Sequence, residues 1–224
     1  MNNSTLQKLG GFAALFEALA YVIGMVFFML LIDSTATNPT EKVSMLAKNQ
    51  VNLHIVTFII YILFGIALVI LAITLNERLK TTSSHSIKIA TVFGLIWAIV
   101  VIASGMIYNV GMQTVIDLFK TDPKQAETVW ITIETVHNAL GGGTEILGGI
   151  WILLVSIAGI QSNTFPKSLN YFGIFIGASG ILSDIPFLRV LGMVYGLTQI
   201  FWFIWLGIVL LKTQKSETVQ TAIA

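Results

Sequence analysis

The segment at residues 139–160, ALGGGTEILGGIWILLVSIAGI, decides the fold class because it is long and apolar enough to cross a lipid bilayer. An α-helix rises about 1.5 Å per residue, so a hydrocarbon core of about 30 Å needs about 20 apolar residues. Glu145 is the only ionisable residue in this segment. The pattern therefore predicts a membrane-spanning helix that carries one acid in its interior.

The composition of the whole chain indicates the same class of protein. Of its 224 residues, 55% are hydrophobic and 10% are charged, whereas soluble domains carry about 25% charged residues. The formal net charge of +1 gives no reason to expect nucleic-acid binding. The chain has no cysteine, which excludes disulfides, thiolate metal sites and cysteine nucleophiles.

Six apolar runs have the length of a membrane-spanning helix, and together they predict an all-α, six-helix bundle in the lipid bilayer. The runs lie at residues 10–32, 52–75, 88–109, 139–160, 168–187 and 191–212. We expect one domain over residues 1–224. The first run is too long for the apolar part of a cleavable signal peptide. Because the number of crossings is even, both termini are expected on the same side.

The distribution of lysine and arginine predicts which side that is, because cytoplasmic loops carry an excess of both. An N-terminus in the cytoplasm puts seven basic residues inside, namely Lys8, Arg78, Lys80, Lys88, Lys167, Lys212 and Lys215. It leaves five outside, namely Lys42, Lys48, Lys120, Lys124 and Arg189. We therefore expect a multi-pass protein of the cytoplasmic membrane with both termini in the cytoplasm.

Two outer connections are long enough to hold structure of their own. Residues 33–51 contain TEKVSMLAK at 40–48, which predicts a short surface helix. After Pro123, the residues up to 138 predict a helix that extends the fourth span outward.

Polar residues near the outer ends of the spans form the candidate ligand-binding site. On one continuous helix, Glu134, His137, Asn138 and Glu145 would fall within about 100° of a single face. Ionisable groups are costly in hydrocarbon, so they usually face the protein interior or a water-filled cavity. The candidate residues are His54, Glu134, His137, Asn138, Glu145 and Asp184.

Each of the acids within or beside a span allows a structural interpretation as well. Glu134 and His137 have the spacing of a carboxylate–histidine metal pair, but a single pair is a weak indication and both could contact water or headgroups. Glu145 either hydrogen-bonds to a neighbouring helix or binds a ligand, proton or ion. Glu17 shares a face with Gly10 and favours a structural polar contact with a packed neighbour.

The glycine triplet Gly141–Gly143 also allows two interpretations. Glycine costs a helix about 1 kcal/mol relative to alanine, so three in a row favour a break such as those that bind substrates in transporters. Small residues also let neighbouring helices pack closely.

The chain resembles a bacterial family of small six-helix integral membrane proteins of unknown function. The segments that carry the resemblance are IASGMIYNVG (102–111), LGGGTEILGGIW (140–151), PKSLNYFG (166–173) and QIFWFIWLG (199–207). The resemblance implies a bacterial cytoplasmic membrane and a six-helix bundle. It supplies no activity, and any cofactor stays unknown.

Three classes of function stay open from the sequence. The first is binding or transport of an ion, lipid or small molecule through an outward-facing polar cavity lined by His54, His137 and Glu145. The second is a metal-dependent membrane hydrolase that uses the same groups. The third is a structural partner of another membrane protein, or a homo-oligomer. No phosphate-binding loop, nucleophile elbow or His-Glu-x-x-His motif is present, so no catalytic residue can be assigned.

Overall fold

The computed structural model describes residues 3–30, 38–80, 84–142 and 145–223, and all regular structure in these ranges is helical. The predicted all-α class is therefore confirmed. The elements are α1 (Asn3–Leu30), α2 (Pro39–Lys48), α3 (Gln50–Thr57), the π-helical segment π1 (Phe58–Leu63), α4 (Phe64–Leu79), α5 (Ser84–Phe119), α6 (Pro123–His137), the π-helical segment π2 (Asn138–Gly142), α7 (Ile146–Ser162), α8 (Lys167–Leu182), a 3₁₀ turn (Pro186–Leu188) and α9 (Val190–Ile223).

Within the described residues, five helical segments are long and apolar enough to cross a membrane, which confirms that this is a membrane protein. They are Ser4–Met29, Gln50–Leu79, His85–Phe119, Pro123–Ser162 and Val190–Lys212. They overlap five of the six predicted runs, with different ends. The remaining run, 168–187, corresponds to α8, which has 16 residues. At this length α8 is about 24 Å long and shorter than a typical hydrocarbon core, because the chain turns before Pro186.

The chain divides into two compact units, which we call unit 1 and unit 2. Unit 1 comprises Met1–Leu19, Ile66–Ala98 and Thr144–Ala224. Unit 2 comprises Ala20–Gly65 and Ile99–Gly143. A single domain over the whole chain stays a prediction, and each unit is described by itself.

In unit 1, glycines let α7 and α8 approach each other backbone to backbone. A Cβ added to Gly149 would stand 2.8 Å from the carbonyl oxygen of Gly177 and from the amide nitrogen of Ile181. Beside this contact, the ring of Trp151 packs against Trp97 and Trp202 at centroid distances of 5.7 and 5.9 Å. Close packing is therefore the role of the glycines on this part of α7 and α8.

In unit 2, the predicted surface helix is present as α2 and rests on an apolar core. Its first turn is capped by Asn38, whose side-chain oxygen accepts a hydrogen bond from the Glu41 amide at 2.9 Å. Val43 and Leu46 are fully buried and belong to a core that includes Tyr108 of α5 and Trp130 of α6. The amphipathic pattern of residues 40–48 thus fixes α2 against unit 2.

The helix predicted after Pro123 is also present, as α6. Pro123 occupies its first turn, and the Asp122 side chain accepts a hydrogen bond from the Gln125 amide at 3.0 Å. The helix continues into π2. That it extends the fourth span outward stays a prediction, because α6 and π2 belong to unit 2 and α7 belongs to unit 1.

We predict that Gly149→Ala lowers the free energy of unfolding by about 1–3 kcal/mol, because the new methyl group would meet backbone atoms of α8 that cannot rotate away. The measurement is equilibrium unfolding of the purified protein in detergent. The matched control is Gly196→Ala in α9, where an added Cβ meets nothing within 4 Å. Equal stability of the two variants would contradict the backbone contact.

Candidate functional site

The helix that carries the candidate residues is interrupted at Gly141. This residue has φ 122° and ψ 7°, a left-handed conformation that glycine adopts far more readily than other residues. The continuous helical face predicted from Glu134 to Glu145 was therefore wrong. Glu145 is the N-cap residue of α7, with φ −105°, and does not lie in the interior of an unbroken helix as predicted. Of the two interpretations of the glycine triplet, the break holds for Gly141.

Two π-helical segments contain or adjoin residues that form the site. π1 contains Tyr61, and π2 begins directly after His137. π-Helical turns are rare and occur frequently at functional sites. Gly105 of α5 permits π1 to approach, because a Cβ on Gly105 would overlap the Cβ of Tyr61. The local backbone thus brings the Tyr61 side chain to α5.

His137 is 5% exposed, and its Nδ1 bonds to Ser104 of α5. Nδ1 lies 2.7 Å from the Ser104 hydroxyl and 3.1 Å from the Ser104 carbonyl oxygen. The Ser104 hydroxyl donates its proton to the carbonyl oxygen of His137 at 2.9 Å. Because the Ser104 hydroxyl proton is used there and its carbonyl oxygen only accepts, Nδ1 must carry a proton and donate it.

The other ring nitrogen of His137 bonds to Tyr61. Nε2 lies 3.2 Å from the Tyr61 hydroxyl. In a neutral imidazole with a proton on Nδ1, Nε2 is an acceptor, so Tyr61 donates to it. The His137 ring also packs against the rings of Tyr61 and Tyr108 at centroid distances of 5.1 and 4.8 Å. We call Tyr61, Ser104 and His137 the His137 cluster.

Glu134 lies one turn before His137 but pairs with a different helix. Its carboxylate lies 3.2 Å from the Lys42 ammonium of α2, and both side chains are about one-third exposed, at 34% and 37%. A nearby hydrogen bond joins Thr40 to Glu127. Exposed ion pairs contribute about 0–1 kcal/mol, so the apolar face of α2 contributes more to its docking than Lys42 does. Glu134 is therefore a partly exposed residue, whereas His137 is buried.

The other candidate residues take no part in the described hydrogen bonds of the His137 cluster. In unit 2, His54 is half-buried on α3, and no described hydrogen bond joins its imidazole to His137; Asn138 is exposed on π2. Glu145 and Asp184 belong to unit 1, where Glu145 is half-buried and Asp184 is exposed in the turn after α8. Of the six candidates, Glu134, His137 and Asn138 lie together where α6 passes into π2.

Two residues of the cluster, Tyr61 and Ser104, are not among the sequence-based candidates. Ser104 precedes Gly105 inside an apolar run, and Tyr61 lies in another apolar run. A hydroxyl beside a glycine in a membrane-length helix was the signal that could have found Ser104. Tyr61 carries no comparable local signal.

The described residues offer no ready metal centre. Within residues 3–30, 38–80, 84–142 and 145–223, no group of three or more His, Asp or Glu residues could hold a metal ion. Both ring nitrogens of His137 already bond to protein groups. A metal ion at His137 would therefore have to displace Tyr61 or Ser104.

Glu17 in unit 1 is fully buried, as its helical face predicts. Neither carboxylate oxygen has a hydrogen-bond partner among the residues that the structure describes. The predicted structural polar contact is thus not found for Glu17 in that part of the chain.

A protein-family model, described as a domain of unknown function (DUF4386), matches residues 6–214. The chain belongs to the DUF4386 family. This agrees with the resemblance to membrane proteins of unknown function and extends over nearly the whole sequence. Neither the search of curated proteins nor the search of solved structures found a match. The chemistry of this DUF4386 protein must therefore be inferred from its own residues.

We predict that neutral His137 carries its proton on Nδ1 and accepts a hydrogen bond at Nε2. The measurement is the ¹⁵N chemical shift of both ring nitrogens in histidine-labelled protein, since the chain has 3 histidines and His137→Gln assigns the signal. Tyr61→Phe should shift the Nε2 signal because it removes the donor. Tyr171→Phe is the control, because Tyr171 is 62% exposed. A proton found on Nε2 would contradict the assigned hydrogen bonds.

Proposed function

We propose that this DUF4386 protein binds or transports a small molecule or ion at a site centred on the His137 cluster. The observation that carries the proposal is a buried histidine with both nitrogens hydrogen-bonded, at a place where two membrane-length helices depart from α-geometry. In hydrocarbon, every backbone polar group needs a partner within the protein, so such departures are costly. They are retained mainly where a site uses them.

The hydrogen-bond chemistry of the cluster suits an exchangeable proton or a polar ligand. A proton added at Nε2 would reverse the bond, because Nε2 would then donate to the Tyr61 oxygen. A ligand hydroxyl or amide could likewise replace the Tyr61 hydroxyl at Nε2, since the two atoms are only 3.2 Å apart. Either change needs the movement of one side chain rather than of a helix.

The same contacts favour binding over the alternative of a metal-dependent hydrolase. Such an enzyme holds its metal ion with about three protein ligands and leaves one coordination position open to water. The described residues supply no such group, and the two nitrogens of His137 are engaged by Tyr61 and Ser104. The cluster is therefore better suited to hydrogen-bond a ligand than to coordinate a metal.

We predict that a ligand which raises the melting temperature of the wild-type protein loses this effect in His137→Gln. The measurement is thermal unfolding in lipid nanodiscs with a panel of ions, lipids and small polar metabolites. At 100 times its Kd, a ligand stabilises the folded state by about 2.7 kcal/mol, which is an easily measured shift.

The control is His85→Gln, because His85 is exposed at the start of α5 and belongs to unit 1. It should respond to the ligand as the wild type does. A ligand that stabilises His137→Gln as strongly as wild type binds elsewhere and contradicts the proposal. If no member of the panel stabilises the wild type, a structural role with a membrane partner becomes the better explanation.

The proposed orientation puts both termini in the cytoplasm of a cytoplasmic membrane. It is supported by the excess of lysine and arginine in the segments assigned to the inside. In this orientation α2 and the connection between α5 and α6 lie outside, so the Lys42–Glu134 pair would face the exterior.

We predict that a cysteine at Lys124 reacts with a membrane-impermeant maleimide in intact cells, whereas a cysteine at Lys80 reacts only after permeabilisation. The two positions are matched, since both are exposed lysines, and the chain has no native cysteine to interfere. The opposite labelling pattern would reverse the proposed orientation.

A further inference from the structure

A second buried polar cluster lies in unit 1 and involves none of the residues of the proposed function. Gln199 in α9 is 0% exposed, and Trp202, one turn further along, is 1% exposed. Neither atom of the Gln199 amide nor the Nε1 of Trp202 has a hydrogen-bond partner within the described part of the chain. Both residues lie in the membrane-length segment Val190–Lys212. These polar atoms are therefore buried where hydrocarbon supplies no partner.

Ser156 of α7 adds a third polar group. Other hydroxyls in these helices bond back to the carbonyl four residues earlier, as Thr74 does to Ile70 at 2.8 Å and Ser179 to Phe175 at 2.9 Å. Ser156 is 1% exposed, and its hydroxyl makes no such bond among the described residues. Its hydrogen-bonding capacity is thus available to a neighbour outside α7.

Gly173 of α8 lies where the polar groups of Ser156 and Trp202 meet. A Cβ added to Gly173 would overlap the Ser156 hydroxyl oxygen and would stand 2.7 Å from Trp202 Nε1. Polar atoms from α7 and α9 therefore converge over a residue of α8 that has no side chain. Gln199 and Trp202 are three residues apart, so they are neighbours on one face of α9. We call Ser156, Gln199 and Trp202 the Gln199 cluster.

The donors and acceptors of the Gln199 cluster define the chemistry of its partner. The Trp202 nitrogen only donates, the Gln199 amide donates and accepts, and the Ser156 hydroxyl does both. A bare cation would be repelled by the N–H donors of Trp202 and Gln199, and an anion would be repelled by the Gln199 carbonyl oxygen. A hydroxyl group both donates and accepts, so it matches all three side chains. Buried polar groups in proteins are satisfied by protein atoms or by ordered molecules of this kind.

We propose that the Gln199 cluster binds a small hydroxyl-bearing molecule inside unit 1. Water and a polyol such as glycerol share this chemistry, and the experiment distinguishes them. The inference does not rest on the proposed function, because no residue of the His137 cluster takes part in it.

The test follows the indole N–H of Trp202 by NMR in tryptophan-labelled protein, prepared in lipid nanodiscs without glycerol. Trp202→Phe assigns the signal among the 5 tryptophans. Magnetisation transfer from water to this N–H is expected if water is the partner. Transfer only after glycerol is added, and from glycerol protons, identifies a polyol. No transfer from either molecule overturns the proposal.

Two alanine variants give a matched comparison. Gly173→Ala places a methyl group among the polar atoms and should reduce the transfer to Trp202 at least about tenfold. Gly196→Ala places the same methyl group on α9, where it meets nothing within 4 Å, and should leave the transfer unchanged. Undiminished transfer in a folded Gly173→Ala variant would contradict the site.

If Gly173→Ala does not fold, Gln199→Leu replaces it, because it removes the amide while keeping most of the side-chain volume. A marked loss of transfer to Trp202 in this variant supports the cluster. Transfer at the wild-type level shows that Gln199 does not help to bind the molecule, and the proposal is then wrong.

Discussion

A backbone polar group in the interior of a bilayer has no water to bond to, and the rest of this structure follows from that constraint. The helix satisfies the backbone within each segment, so the described residues form helices nearly throughout. Helices whose outer surfaces are uniformly apolar gain little from the hydrophobic effect when they associate. They must instead approach closely, as α7 and α8 do at Gly149 and Gly177.

The same constraint makes departures from regular α-helix costly unless nearby groups compensate for them. Unit 2 contains all three departures described above. Tyr61 lies within π1, and π2, which includes the left-handed Gly141, follows directly after His137. An irregular backbone in a membrane protein is stable only where other groups compensate for it. Ser104 does so here, because its hydroxyl bonds to the His137 carbonyl at the end of α6. The polar side chains and the irregular backbone therefore support each other.

Features that depend on local sequence were predictable, and features that depend on distant partners were not. The membrane-length runs follow from apolar length, and the starts of α2 and α6 follow from Asn38–Pro39 and Asp122–Pro123. His137 was a candidate because it lies near the outer end of a predicted span, on the same helical face as Glu134 and Asn138. Its partner Tyr61 lies 76 residues away in sequence, and no pattern along the chain connects the two. The prediction that Glu145 shares a helical face with His137 was wrong, because the positive φ angle of Gly141 ends the helical periodicity on which the prediction depended.

The docking of α2 has a consequence for how the protein is made. Its ion pair joins residues 92 positions apart, and its buried residues Val43 and Leu46 pack in a core with Trp130 of α6. A ribosome adds about 5–20 residues per second, so α2 is synthesised about 5–20 s before the segment that receives it. During that interval its apolar face lacks the part of the core that Trp130 completes. A nascent chain of this kind relies on the lipid interface, or on an insertion factor, to shield α2 until α6 is synthesised.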